Sequence, residues 1–299
     1  MSRFLITGVT GFTGRYLAPA LAAAGHEIHG TLFGDPGPEV AGVAELHHLD
    51  LRDGEAVSEL VSRIAPQGAV HLAAISYVAH SDVAEMYQAN ILGTRNLLHA
   101  LASGSTPPES VLVASSANVY GNARAGVLDE QVPPAPANDY GLTKAAAELL
   151  AAMYARRMPV TVVRPFNYTG RGQSERFLIP KIVAHVRRRE PSIELGNLEI
   201  ERDFSDVRGV VDAYVRLLAT PSAAGGTFNI CSGRAVSLDE ILDLVRRVSG
   251  YDLQVRVNPS LVRPDEVKTL RGSPERLESI IGPLEMPPLE ETLRWMLED

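Results

Sequence analysis

Arg3-Phe4-Leu5-Ile6-Thr7-Gly8-Val9-Thr10-Gly11-Phe12-Thr13-Gly14 decides the fold. The first five residues are a short apolar run closed by glycine, which reads as a buried strand. Residues 12–24 then carry helical spacing up to Gly25. Between the two lie glycines at 8, 11 and 14, and each has a physical task. Gly8 permits the tight turn, Gly11 lets the backbone approach a pyrophosphate, and Gly14 lets the helix pack closely on the strand. The free N–H groups of the first helical turn then face the anion. Three glycines alone are a weak signal, but placed between a strand and a helix they predict a dinucleotide cradle.

Working outward, the strand–helix alternation continues. Strands are expected at 27–32, 46–49, 69–72, 111–114 and 160–163, and helices at 56–64, 86–101 and 139–157. This order argues for right-handed crossovers and an α/β, Rossmann-type doubly wound parallel sheet. After residue 165 the pattern loosens, with helices read at 178–189, 205–219 and 237–249 and one more sheet strand at 227–230. The expected organisation is a dinucleotide domain of residues 1–165 plus about 205–230, and a smaller lobe of about 166–204 and 231–299. The proline-bearing stretch 131–137 reads as a loop. Arg187-Arg188-Arg189 reads as a solvated, dipole-compensating helix end.

Composition bounds the function. The 299 residues hold 28 Lys+Arg against 36 Asp+Glu, a formal charge of −8. Nucleic acid or an anionic membrane as a partner held by bulk charge is disfavoured. Cys231 is the only cysteine, so there is no internal disulfide and no cysteine metal site. No metal is expected, because the histidines form no helical ligand pair and the adjacent His47 and His48 would point to opposite faces of a strand. No apolar run approaches the ~18 residues of a membrane span. A soluble cytoplasmic protein is the expectation, with anionic small molecules still open as ligands.

The end of the second strand, His29-Gly30-Thr31-Leu32-Phe33-Gly34, offers no acid for an NAD ribose until Asp35, and no arginine for a 2′-phosphate. The missing carboxylate removes repulsion of a phosphate and tips the choice toward NADP(H) over NAD(H). Asp50 and Leu51, after the third strand, are placed to reach the adenine, although Asp50 also reads as a helix N-cap. Tyr140 and Lys144 are four apart on a predicted helix and share one face. A nearby ammonium stabilises phenolate, so Lys144 is expected to lower the Tyr140 pKa and make it a proton-transfer group. Ser116 follows the fifth strand, at the end that faces the crevice, where its hydroxyl could orient a carbonyl.

Gly8-x-x-Gly11-x-x-Gly14, His71-Leu72-Ala73-Ala74, Asn90-x-x-Gly93-Thr94, the Ser116 segment, Tyr140-x-x-x-Lys144 and Arg164-Pro165-Phe166-Asn167 together resemble the extended short-chain dehydrogenase/reductases across nearly the whole chain. The resemblance implies that Ser116, Tyr140 and Lys144 are catalytic, with Asn90 supporting the lysine through water. It implies cofactor contacts from Gly8, Gly11, Phe12, Thr13, Gly14, Thr31, Asp50, Leu51, Leu72, Ala73, Ala74 and Pro165, besides Tyr140 and Lys144.

In the family's dehydratases a carboxylate follows the catalytic serine or threonine by two residues. Here Ala117 and Asn118 follow Ser116, and an asparagine side chain does not accept a proton at neutral pH. A reductase or an epimerase is what remains. Phe177-Leu178-Ile179-Pro180-Lys181, Gly196-Asn197-Leu198, Arg202-Asp203-Phe204 and Asn258-Pro259 through Arg263-Pro264-x-Glu266-Val267 are similar to the GDP-mannose 4,6-dehydratase branch and its reductase relatives. That similarity implies that Asn167, Lys181, Arg202 and Arg263 hold a pyrophosphate and Glu266 the ribose. Leu178, Gly196 and Asn197 would lie near the nucleoside, and Ser76, Ser116 and Asn118 would face the sugar.

The implied activity is reduction of the C4 ketone of a GDP-4-keto-6-deoxyhexose, giving GDP-D-rhamnose from GDP-4-keto-6-deoxy-D-mannose. The alternatives are reduction to GDP-6-deoxy-D-talose, a dTDP-4-keto-6-deoxyhexose reductase, a nucleotide-sugar epimerase, or a non-catalytic NAD(P) sensor on the same fold. Family precedent implies a homodimer through the 86–101 and 139–157 helices, with the Ala-rich 145–152 face suiting close approach.

Overall fold

The protein is described by a computed structural model that covers residues 1–298 apart from 36, 38, 78, 79, 123–125, 199 and 262–267. The first half runs β1 (Arg3–Thr7), α1 (Gly14–Ala23), β2 (Glu27–Leu32), β3 (Val43–His48), α2 (Gly54–Ile64), β4 (Gly68–His71), α3 (Val83–Tyr87), a π-helical turn (Gln88–Leu92), α4 (Gly93–Ser103), β5 (Ser110–Ala114), a 3₁₀ turn (Ala117–Tyr120), β6 (Gly126–Leu128) and α5 (Asp139–Tyr154). The second half runs β7 (Val160–Pro165), β8 (Asn167–Thr169), α6 (Leu178–Arg187), β9 (Ser192–Leu195), β10 (Glu201–Asp206), α7 (Val207–Leu218), β11 (Thr227–Ile230), β12 (Ala235–Ser237), α8 (Leu238–Ser249), β13 (Gln254–Val257), β14 (Thr269–Gly272), α9 (Glu275–Ile281) and α10 (Leu289–Leu297).

Seven strands form one parallel sheet in the order β11-β7-β5-β4-β1-β2-β3. Chain order reverses beside β1, so the crevice at the carboxyl ends opens over the β1–α1 turn. Both faces are covered. Ile6, Leu17, Leu21, Val210, Tyr214 and Phe228 pack one side, where α1 and α7 lie. Leu5, Val57, Leu98, Leu101 and Val113 pack the other, beneath α2 and α4. This two-sided burial is why the strands read as unbroken apolar runs rather than as alternation. Each fully buried Leu or Ile here contributes about 1.5–3 kcal/mol.

The later segments build smaller sheets. β12, β10, β14 and β6 are neighbours in that order, β8 pairs β10, and β13 pairs β9. A separate apolar cluster of Ile179, Ile182, Leu195, Ile241 and Leu293 lies under α6, α8 and α10. Helix α9, from the stretch expected in the second lobe, sends Leu277 into the cluster shared by α1 and α7.

The large elements fall close to their expected positions, and Thr227–Ile230 joins the sheet against β7. Three helices differ in extent from the expectation. The 86–101 helix is longer, beginning at Val83 and ending at Ser103, and is interrupted by the π turn. The 139–157 helix stops at Tyr154, and the 178–189 helix at Arg187. Beyond that stop Arg189 has φ +52, and Arg188 is paired with both Glu175 and Glu190, so the arginine run does more than meet a helix dipole. The short strands β6, β8, β9, β10, β12, β13 and β14, of three to six residues, and the helices α9 and α10, of seven and nine, were not legible, because such short mixed segments carry no distinctive period.

Candidate active site

Gly8 has φ +68, and a Cβ there would stand 2.8 Å from the Ala73 Cα. A Cβ on Gly14 would lie 2.3 Å from the Val9 carbonyl oxygen. These two glycines let β1, α1 and the end of β4 close on one another. A Cβ on Gly11 would meet only the Gly8 carbonyl at 3.1 Å, so its outward side is open. No side chain caps the first turn of α1. Open backbone and uncapped amides at a helix start fit a pyrophosphate. Thr13 instead shares a 2.7 Å hydrogen bond with Tyr168, whose ring stacks on Phe12 at 5.8 Å.

A directional chain of hydrogen bonds links this loop to the π turn. Ala73 N–H donates to Thr7 Oγ1 at 3.3 Å. Thr7 Oγ1 lies 2.7 Å from His71 Nδ1, His71 Nε2 lies 2.8 Å from Thr94 Oγ1, and the Thr94 hydroxyl donates to the Asn90 carbonyl at 2.5 Å. That last donation leaves the Thr94 oxygen as acceptor, so the imidazole proton sits on Nε2. Burial, helped by the charge of Lys144, pushes the His71 pKa down to about 3 and keeps the ring neutral.

Tyr140 and Lys144 come one turn apart on α5, after Asn138, which caps the helix through Gly141 N–H at 2.8 Å. The Tyr140 hydroxyl lies on the Ser116 side of the site, where Ser116 favours its ionised form. Ser116 Oγ also accepts from Asn118 N at 3.2 Å and from Asn118 Nδ2 at 3.1 Å. Burial pushes Tyr140 well above the ordinary phenol range, the neighbouring Tyr168 adds to the rise, and Ser116 opposes it. This corrects the expectation that Lys144 lowers the phenol. Lys144 Nζ lies 5.9 Å from the Tyr140 ring and donates instead to the Ala114 carbonyl at 2.8 Å. Burial draws Lys144 down to about 8, against the opposing pull of Glu148.

Asn90 sits in the π turn, a feature that recurs at functional sites. Its Oδ1 accepts from Ile75 N–H at 2.8 Å, and its Nδ2 donates to the Ile75 carbonyl and to Thr143 Oγ1, each at 3.0 Å. It is therefore joined to α5 through Thr143, one residue before Lys144.

Thr31 is buried at the end of β2, and its carbonyl accepts from Val9 N–H at 3.1 Å. Leu51 is buried, Leu72, Ala73 and Ala74 are half-buried after β4, and Pro165 ends β7. The Asp50 carboxylate, expected at the adenine, is gripped by Arg52 at 2.7 Å, which holds its carboxyl below the usual range. Arg52 in turn lies 5.1 Å from the exposed Phe33 ring. The sequence offered no arginine along the end of β2, but the fold brings one beside Phe33 and another to the segment that follows. Arg15, on α1, reaches the neighbourhood of Gly37, and Arg52 arrives from beyond β3.

Of the expected substrate groups, Ser76 is exposed near Asn90, Asn167 opens β8, and Leu178 starts α6. Lys181 Nζ donates to the Glu194 carbonyl at 2.7 Å beside Gly196 and Asn197. Arg202 on β10 donates to the Glu201 carbonyl at 2.8 Å. Arg263 and Glu266 lie outside the described residues.

The sequence reading gave no part to Glu148, yet it stands four residues beyond Lys144 on the same face. Its carboxylate accepts from Ser115 Oγ at 2.5 Å and from Arg164 at 2.6 and 2.8 Å. Arg164 Nη1 also donates to the Tyr120 hydroxyl at 3.0 Å. The i, i+4, i+8 spacing of Tyr140, Lys144 and Glu148 was the available signal.

A parallel sheet of this order, a glycine cradle at its switch point and a Ser–Tyr–Lys group beyond β5 define an extended short-chain dehydrogenase/reductase, an NAD(P)-dependent oxidoreductase. Residues 5–296 match the GDP-mannose 4,6 dehydratase family, and the chain belongs to it. It is 33% identical to GDP-6-deoxy-D-mannose reductase of Pseudomonas aeruginosa, over 99% of this chain and 96% of that one. It is 32% identical to GDP-6-deoxy-D-talose 4-dehydrogenase of Aggregatibacter actinomycetemcomitans, over 94% and 91%. The structure of RMD from Pseudomonas aeruginosa complexed with NADPH superposes with a TM-score of 0.85 at 31% identity, covering 100% of this chain and 97% of that one.

Proposed function

We propose that the protein reduces the C4 ketone of GDP-4-keto-6-deoxy-D-mannose to GDP-D-rhamnose. The observation that carries this reading is that Asn118, not a carboxylate, donates to the Ser116 hydroxyl oxygen at 3.1 Å, on the side of the site where Tyr140 lies. An amide donor at that place leaves no base for the dehydration that gives the family its name. The names of the two relatives, both GDP-6-deoxyhexose enzymes, support the substrate class.

A bound nicotinamide supplies the hydride. Tyr140 donates its proton to O4 as the carbonyl becomes an alcohol, and Ser116 orients that oxygen. The upward-shifted phenol is fully protonated at neutral pH, which is the form a reduction requires. Lys144 holds the cofactor ribose. Asn90, through Thr143, positions the start of α5. Asn167, Lys181, Arg202 and Arg263 meet the substrate pyrophosphate, with Glu266 at the ribose and Leu178, Gly196 and Asn197 near the nucleoside. NADP(H) is preferred, supported by Arg52 beside Phe33 at the end of β2 and by Arg15 near Gly37 in the segment that follows.

The segments 166–204 and 231–299 serve as the substrate lobe and 1–165 with 205–230 as the cofactor domain. The enzyme works as a cytoplasmic homodimer; no helix among the described residues is long and apolar enough to cross a membrane. The dimer face differs from the alanine stripe expected, since Ala147 and Ala151 turn into the core. Exposed Leu92, Leu142, Leu149 and Met153 on the adjoining helices supply the apolar surface. Sedimentation of Leu149→Glu should read a monomer; an unchanged wild-type dimer would reject this face.

The deciding experiment supplies GDP-4-keto-6-deoxymannose with NADPH or NADH, follows loss of reduced cofactor and assigns C4 by NMR. GDP-D-rhamnose is the expected product. GDP-6-deoxy-D-talose would favour the reading that the Aggregatibacter relative's name suggests, and no oxidation of either cofactor would sink both.

A further inference from the structure

A second cluster of chemically able side chains lies at the other edge of the large sheet. Between β2 and β3 the register shifts after Ile28, so that His29 stands opposite Glu45 and Thr31 opposite His47. Such a bulge re-aims side chains. Alternation along each strand then gathers Glu27, His29, Glu45 and His47 on one face.

The donor atoms converge. His29 Nδ1 lies 3.3 Å from His47 Nε2 and 3.6 Å from Glu45 Oε2, and ligand atoms of the three residues all lie within 4.8 Å of one another. Tetrahedral zinc with bonds of about 2.0–2.1 Å separates its donors by about 3.3–3.4 Å. The outer nitrogen of His29, Nε2, donates to Glu27 Oε1 at 2.9 Å. That bond fixes the proton on Nε2 and leaves the Nδ1 lone pair aimed at the cluster. A carboxylate behind a ligating histidine is the outer partner that metal sites ordinarily carry. Both imidazoles are buried, whereas Glu45 is exposed and leaves an entry path.

From this geometry we infer that His29, His47 and Glu45 form a zinc site, with water as the fourth ligand, that ties β3 to β2. Two neutral imidazoles and one carboxylate make a donor set suited to Zn²⁺ rather than to Mg²⁺ or Ca²⁺. In the metal-free arrangement Arg63 Nη2 lies 3.4 Å from His47 Nδ1. A guanidinium only donates, so the His47 proton then sits on Nε2. Zinc takes that nitrogen, the proton moves to Nδ1, and the exposed Arg63 swings away. No net proton is released, and nothing is oxidised or reduced. The clamp lies two residues before Thr31 on β2 and three before Asp50 after β3, so it stiffens the edge beside the cofactor cradle without touching the reacting groups.

Zn²⁺ alone, titrated into untagged protein against a chromophoric chelator at neutral pH, tests the site. One equivalent should bind and raise the melting temperature. Co²⁺ in its place should give the intense visible bands of a four-coordinate ion. His29→Ala and His47→Ala should abolish binding. Glu45→Gln and Glu27→Gln, at more exposed positions and safer for folding, should weaken it at least tenfold, with the Glu27 effect within the roughly 10–100-fold of an outer-shell partner. Turnover measured without added zinc should be unchanged in the glutamine variants. No stoichiometric binding to the wild type, binding unaffected by these substitutions, or a six-coordinate cobalt spectrum would each overturn the assignment.

Discussion

Glu148 Oε2 lies 2.6 Å from Arg164 Nη2, with both side chains about nine-tenths buried, and the pair fastens α5 to β7. Burying two charges is costly, and the contact holds because Ser115 and Tyr120 satisfy the remaining hydrogen bonds. The helix so fastened is the one that carries Tyr140 and Lys144.

Removing one member of a buried pair strands the other. Glu148→Gln should lower unfolding stability by about 3–5 kcal/mol in a denaturant titration. The same change removes the carboxylate that raises Lys144, so the lysine should titrate lower still. Wild-type stability in this variant would mean that the contact is energetically idle.

Tyr140→Phe deletes a hydroxyl that no geometric hydrogen bond ties to the described residues, so its loss leaves the fold's hydrogen bonding intact. Turnover should fall by roughly 10²–10⁴-fold, the usual worth of a positioned acid. Cofactor affinity and melting temperature should stay near wild type, read by calorimetry and thermal melts. A variant with wild-type turnover would remove Tyr140 from the chemistry.

The depressed pKa of Lys144, about 8 against 10.5 unperturbed, fixes a sign for stability. Below about pH 8 folded and unfolded chains both hold the proton, and the desolvation cost is present in full. Between about 8 and 10.5 the unfolded chain binds more protons, so this group's contribution to stability rises with pH. Lys144→Met should remove that rise, seen as the difference between the two stability–pH curves. Parallel curves would contradict a buried ammonium.

Arg15 and Arg52 separate by what already holds them. The Arg52 charge is matched by Asp50, whereas among the described residues Arg15 Nε donates to a main-chain carbonyl, that of Thr10, at 2.8 Å. Arg15→Ala should raise the KM for NADPH about tenfold or more while sparing NADH, the scale of a charge-assisted phosphate contact. Arg52→Ala should act more weakly. Equal effects on both cofactors would argue against a 2′-phosphate contact.

The glycine cradle, the sheet strands and the Ser116, Tyr140 and Lys144 group were legible because each is written in local spacing: a turn, a buried run, one helical turn. The π turn at Asn90 was not, since the inserted residue leaves the apolar pattern of the 83–103 helix nearly unchanged. Glu148 and Arg164 were readable as residues but not as a pair, being sixteen positions apart on a helix and a strand.

The chain's own order of residues determined that this is a doubly wound dinucleotide fold with a phenol and an ammonium on one helical face, because period and glycine placement constrain backbone and burial directly. Tertiary structure alone decided that burial, not Lys144, dominates the phenol and raises it, that the ammonium turns to Ala114, and that a bulge brings His29 beside His47. Those outcomes depend on solvent exclusion and on contacts between distant strands, and no local spacing encodes either.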